Sequence, residues 1–165
     1  MRYTEKLCKE ARMVAVKAHG HQDYDGIFPY EKHLDDVVAV LIRFGFDNKF
    51  IIAGYLHDAV EDGSISYNKI LRYFGKEIAE MVYCVTDELG RNRKERKAKT
   101  YEKLKENPDA IVIKVADRIA NIEHGGKVDM YRKEHPDFME ALHPHSPQDA
   151  EDLWRHLERL IQWDK

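Results

Sequence analysis

Apolar residues recur at three- and four-residue spacing along nearly the whole chain, and no alternating run bounded by turn residues marks a strand. The pattern predicts an all-α protein. Leu7, Ala11, Val14, Ala15 and Ala18 form one stripe on a first helix that ends near Gly20. A loop rich in turn formers follows, through Asp25-Gly26 and Pro29. A second helix is expected over 30–44, with Leu34, Val37, Val38, Leu41 and Ile42 inside, and a third over 48–62, stopped by Gly63. Ser66 suits the cap of a short fourth helix that reaches Gly75, and Ile78, Met81, Val82 and Val85 mark a fifth. A basic segment over 91–99 leads into a sixth. Asn107-Pro108 reads as cap and first turn of a seventh, with Ile111, Val112, Val115 and Ile119 buried and Gly125-Gly126 as its break. Two further helical pieces cover 127–142, and Ser146-Pro147 starts a last helix whose stripe is Leu153, Leu157, Leu160 and Ile161, flanked by Trp154 and Trp163.

With 165 residues, no linker and no repeat, residues 1–165 are expected to form one domain around one core. Cys8 and Cys84 lie far apart, at neither disulfide nor zinc spacing, which suits a reducing compartment. The charged N-terminus has no long apolar run, so a cytoplasmic protein without a membrane segment is expected. A formal charge of −3 argues against a duplex nucleic-acid binder and leaves any nucleotide site to local charge.

The nine histidines change the picture, because several stand beside carboxylates. In the third helix the string Leu56-His57-Asp58-Ala59-Val60-Glu61-Asp62 sets His57 one turn from Glu61 and Asp58 one turn from Asp62. One turn offers imidazole and carboxylate, which a divalent cation accepts together. The next offers two carboxylates able to handle protons or orient water. His33 opens the second helix, and Asp117 lies among Ile113, Val115, Ala116 and Ile119, where burial without a partner is costly. A metal would supply that partner, as would a salt bridge to Arg118, and His33 equally suits a helix cap or the surface. Asn121 stands one turn beyond Asp117.

Taken in order, Ala18-His19 with Gln22, Gly26, Pro29-Tyr30 and His33, Leu56-His57-Asp58-Ala-Val-Glu61-Asp62, Phe74-Gly75, Val85-Thr86-Asp87, Glu95-Arg96-Lys97 and Ile113-Lys114-Val-Ala-Asp117-Arg118 with Asn121 resemble the hydrolase domain of the RelA/SpoT family. In size the chain is similar to the family's small alarmone hydrolases, of which the metazoan SpoT homologues are one group. The resemblance implies a compact HD-domain bundle of roughly eight to ten helices. It implies one Mn²⁺ held by His33, His57, Asp58 and Asp117, catalytic roles for Glu61 and Asp62 at the attacking water and phosphate, and a nucleotide contact at Asn121. The implied activity is release of pyrophosphate from the 3′ end of (p)ppGpp, the alarmone of the stringent response, with no synthetase counterpart.

The chain departs from that family at Asp23-Tyr24, where two basic residues are usual. A carboxylate near a 5′-diphosphate would alter substrate choice, whereas Tyr24 can stack on a base. In the basic run, Arg96 or Lys97 is expected near the substrate phosphates. His143 and His145 read as a turn without a role. The same metal centre could act on ppApp, a pyrophosphorylated tRNA 3′ end or the 2′-phosphate of NADPH. A module that binds an alarmone without cleaving it is the remaining alternative.

Overall fold

A computed structural model describes residues 2–62 and 64–162. Within them the chain forms α1 (Glu5–His19), a ladder of β1 (Asp23–Tyr24) and β2 (Phe28–Pro29), α2 (Glu31–Arg43), α3 (Asn48–Leu56), α4 (Tyr67–Phe74), α5 (Lys76–Val85), α6 (Arg93–Lys105), α7 (Pro108–Glu123), α8 (Val128–Leu142) and α9 (Glu151–Gln162). Two one-turn 3-10 helices, His143–His145 and Gln148–Ala150, join α8 to α9. The all-α expectation holds, with nine α-helices among the described residues. None of them is long and apolar enough to cross a membrane.

Polar caps start the helices where the sequence offers them. Thr4, Ser66, Asn92 and Asn107 each accept a hydrogen bond from the backbone N–H three residues on, and Asp47 accepts from that of Lys49. The core gathers around α7, which packs against α2, α3, α5, α6, α8 and α9. Its apolar residues, Ile111, Val112, Ile113, Val115, Ala116 and Ile119 among them, are buried on nearly every side. The polar residues of such a helix must therefore find partners inside the protein.

Four local expectations fail, each for a visible reason. The loop after α1 contains an antiparallel ladder, Asp23 opposite Pro29 and Tyr24 opposite Phe28, closed by a turn in which both Asp25 (φ 58°) and Gly26 (φ 69°) are left-handed. Asp-Gly is the sequence signal for that turn. Helix α3 ends at Leu56 instead of 62. The His57 imidazole takes the Gly54 carbonyl that the amide of residue 58 would need, and Ala59 bonds back only three residues, to Leu56. Residues 128–142 form one helix through Pro136, held by Tyr131, His135, Phe138 and Leu142 along one buried face. Ser146 does not cap the last helix, because its hydroxyl accepts the Trp154 indole N–H at 2.8 Å, and α9 starts at Glu151. Gly63 and Trp163 lie outside the described residues.

Gly54 couples packing to the site, since its carbonyl orients His57 while its bare Cα lets α3 close on α2. A Cβ there would stand 2.8 Å from Leu41 Cδ1 and 3.3 Å from Val38 Cγ2. Gly54→Ala is expected to destabilise the fold by about 1 kcal/mol or more, overpacking outweighing the gain in helix propensity. It should also weaken divalent-cation binding; denaturant unfolding and metal titration check the two effects.

A candidate metal centre beside a cationic wall

Helix α2 begins with His33 in its first turn, α3 delivers His57 and Asp58 just past its end, and α7 carries Asp117 at its middle. The four side chains converge. His33 Nε2 lies 3.0 Å from Asp117 Oδ1 and 3.8 Å from Asp58 Oδ2, while His57 Nε2 lies 3.0 Å from Asp58 Oδ2 and 3.6 Å from Asp117 Oδ1. One ligand atom each from His33, His57 and Asp58 fall within 4.8 Å of one another. Both imidazoles are buried, at 2% exposure.

The donor set fits a divalent cation. His57 Nδ1 is 2.7 Å from the Gly54 carbonyl, which can only accept, so Nδ1 carries the proton in a neutral ring. Nε2 is then a bare lone pair, buried without a hydrogen-bond partner and facing two carboxylate oxygens. Acceptors facing acceptors require a positive charge between them, from a proton or a metal. The same field acts on the side chains themselves. Burial alone would depress the His57 imidazolium, yet Asp58 and Asp117 raise it well above the usual range. Burial would raise Asp58 and Asp117, yet the two histidines hold both carboxyls low.

A layer of side chains fixes these groups. The Tyr30 hydroxyl donates to Asp58 Oδ2, and the Tyr30 ring stacks on His19 with centroids 4.3 Å apart. Asn121 Nδ2 donates to the carboxylate and to the backbone oxygen of Asp117, 3.0 Å each. Tyr24 in turn donates to Asn121 Oδ1 at 2.8 Å while its ring lies between those of His33 and His124, at 4.8 and 4.7 Å. Asn121 and Tyr24 thus reach the cluster in series.

The expected catalytic pair separates. Glu61 lines the cavity with Asp58, and burial, with the nearby charges of Asp58 and Asp87, pushes its carboxyl up to about 7. Asp62 turns away to His19, its Oδ2 2.6 Å from Nδ1, so it supports the stack beneath Tyr30. The two basic candidates separate as well. Lys97 is buried, pairs with Asp87 at 2.7 Å and faces the cavity. Arg96 does not line it; one residue along α6 its side chain is turned about 100° away, against Gly90. Arg93, one turn before Lys97, stands in the place expected for Arg96.

The cavity holds about 410 Å³. One wall is cationic, with Arg93 and Lys97 from α6 and Lys114 from α7, the last 9% exposed and 3.7 Å from Asp87. Tyr30, Arg93, Lys114, Asp87 and His124 were not singled out as site residues from the sequence. Lys114 was findable, since a lysine buried on an apolar helix demands a partner as strongly as Asp117 does.

Residues 11–136 match the family described as HD domain. The chain is 35% identical over 114 residues to the guanosine-3′,5′-bis(diphosphate) 3′-pyrophosphohydrolase of Aquifex aeolicus, covering 66% of this chain and 16% of that protein. It is 32% identical over 130 residues to the bifunctional (p)ppGpp synthase/hydrolase SpoT of Escherichia coli K12, covering 74% and 18%. The chain therefore spans about a sixth of the length of these relatives. A solved metazoan ortholog of SpoT, described as hydrolysing ppGpp, superposes with a TM-score of 0.76 at 21% identity, over 99% of this chain and 98% of that one. The solved lmo0812 of Listeria monocytogenes EGD-e gives 0.60 at 25%, over 79% and 96%.

Burial, with the nearby Lys114 charge, lowers the Lys97 ammonium to about 8, below its unfolded value near 10.4. Between those values the unfolded chain holds a proton that the folded one has lost, so this group makes stability rise with pH, by at most about 1.4 kcal/mol per unit. Lys97→Met is expected to flatten that rise between roughly pH 8 and 10.4. Denaturant unfolding of wild type and variant across that window measures it.

Proposed function

The chain belongs to the HD-domain family, and from that premise we propose that it is a metal-dependent phosphohydrolase that removes pyrophosphate from the 3′ end of a guanosine alarmone such as ppGpp. The observation that carries the reading is the meeting of His33, His57, Asp58 and Asp117 around one point beside a cationic wall. The names of the Aquifex and Escherichia relatives supply the substrate class.

These four residues would hold one divalent cation, which two imidazoles and two carboxylates accept together, and the resemblance to the RelA/SpoT hydrolase domain names it as Mn²⁺. Bound there, the cation supplies Lewis acidity toward phosphate and lowers the pKa of water. The chain's own residues do the rest. Glu61, a carboxyl near neutrality at the cavity surface, takes the proton of the attacking water and returns one to the ribose 3′ oxygen. Arg93, Lys97 and Lys114 receive the phosphoryl charge that builds as the P–O bond to the ribose breaks. Asn121 and Tyr30 keep Asp117 and Asp58 aimed, and Asp62 acts at one remove, through His19 and the Tyr30 ring.

Purified protein with Mn²⁺ is expected to release pyrophosphate from ppGpp, and product identity across ppGpp, ppApp and NADPH tests the class. Orthophosphate from NADPH alone would replace this substrate with a 2′-phosphate, and tight binding of ppGpp without turnover would make the protein a sensor. Asp58→Ala and Asp117→Ala are expected to abolish turnover and divalent binding together. Asn121→Ala should cost about 10–100-fold in metal affinity or activity, the range for residues that orient metal ligands. Isothermal titration with Mn²⁺ and steady-state kinetics separate the two.

A further inference from the structure

The cavity has two walls of opposite sign. Arg93, Lys97 and Lys114 stand on the α6–α7 side, whereas the β1–β2 hairpin brings Asp23 and Asp25 to the other side, where Lys127 is the one cation among the lining residues. Between the carboxylates Tyr24 turns inward, with its ring against His124, and Phe28 meets the same imidazole edge-on at 5.5 Å. His124 Nε2 lies 3.4 Å from Asp25 Oδ2, which ties that carboxylate to the aromatic wall.

A nucleoside 3′-diphosphate fits this polarity in one sense only. The reacting phosphorus belongs at the four-residue cluster, and the second phosphate of the leaving group, the most anionic part of the molecule, belongs against the cations. The nucleoside then falls to the Tyr24–His124 wall, with its 5′ end directed to the hairpin. Any charge on that 5′ end meets two carboxylates against one lysine.

Resting on the hydrolase reading above, we propose that Asp23 and Asp25 are specificity residues that select nucleoside 3′-diphosphates with little or no 5′ charge. The preferred substrate carries a 5′-hydroxyl or 5′-monophosphate, and the 5′-diphosphate form is the poorest of the three. Each added 5′ phosphate lowers kcat/KM, mainly through KM, because the repulsion acts on binding and not on the breaking bond. Both carboxylates are solvent-exposed, so the discrimination is about tenfold across the series and shrinks as salt is added.

The test is kcat/KM for guanosine 3′-diphosphate, its 5′-monophosphate and its 5′-diphosphate at matched free Mn²⁺, for wild type and for Asp23→Asn/Asp25→Asn. Asparagine keeps the side-chain size and tolerates the left-handed conformation at position 25, so the hairpin is preserved. In wild type kcat/KM is expected to fall as 5′ charge rises, and the variant to bring the three within about threefold by gaining on the 5′-diphosphate. Binding of guanosine, GMP and GDP to metal-free protein should show the same ranking and the same loss of it. Turnover with a flat or inverted ranking in wild type, or a ranking the variant keeps, overturns this proposal alone. No turnover of any of the three substrates overturns the hydrolase reading and this one with it.

Discussion

The buried lone pair of His57 Nε2, aimed at two carboxylate oxygens, is the constraint around which the site is arranged. Left without a positive charge, that lone pair and the carboxylate oxygens it faces repel one another at close range. Every neighbouring choice lowers that repulsion or holds it in place. The Gly54 carbonyl fixes the tautomer of His57, the Tyr30 hydroxyl caps one oxygen of Asp58, and Asn121 caps one of Asp117. The remaining lone pairs point at one volume, which a proton can partly satisfy and a divalent cation satisfies fully.

The fold makes that convergence possible by burying α7 on almost every side. A helix with so little solvent exposure cannot leave Lys114, Asp117 and Asn121 on a wet face, and at spacings of three and four they share one stripe. That stripe becomes the floor of the cavity. Helix α2 contributes His33 from its first turn, and α3 stops early enough that His57 and Asp58 leave the helical ladder and reach across. The loss of regular helix at residues 57–62 is therefore part of how the site is built.

Much of this was legible in the sequence, for identifiable reasons. The starts at Ser66 and Asn107 were readable because those residues cap by local chemistry, His57 and Asp58 because their motif is dense in ligand atoms, and Asp117 because a carboxylate inside an apolar helix demands a partner. The end of α3 was not readable, because it depends on a side-chain-to-backbone bond at His57 that periodicity cannot reveal. The fate of Asp62 was equally hidden: helical spacing sets it beside Asp58, but the turn swings it toward His19 from α1, a contact between residues 43 positions apart. Arg96 and Arg93 show the limit of reading charge from composition, since a basic run names the helix but its phase decides which cations face inward. The hairpin lay in plain sight as Asp25-Gly26, too short for a hydrophobic alternation to announce it.

The cationic wall shows how the protein keeps three cations beside one cavity. Lys97 and Lys114 lean on Asp87, and Arg93 and Arg118 lean on Glu134, so each cation on or behind this wall rests against an internal carboxylate. Buried pairs of this kind add little to stability compared with apolar packing, because desolvation offsets most of the attraction. Their value lies in exchange. At the phosphate site proposed above, Lys97 and Lys114 would meet an entering phosphate already stripped of water by burial, whereas the Arg93 side chain is still 37% exposed. Lys97, held near 8 by burial and by Lys114, would gain charge on that arrival, because an added anion favours the proton its surroundings disfavour. The metal cluster and the cationic wall thus share one design: charged and polar groups gathered at a cavity, each balanced by partners inside the protein.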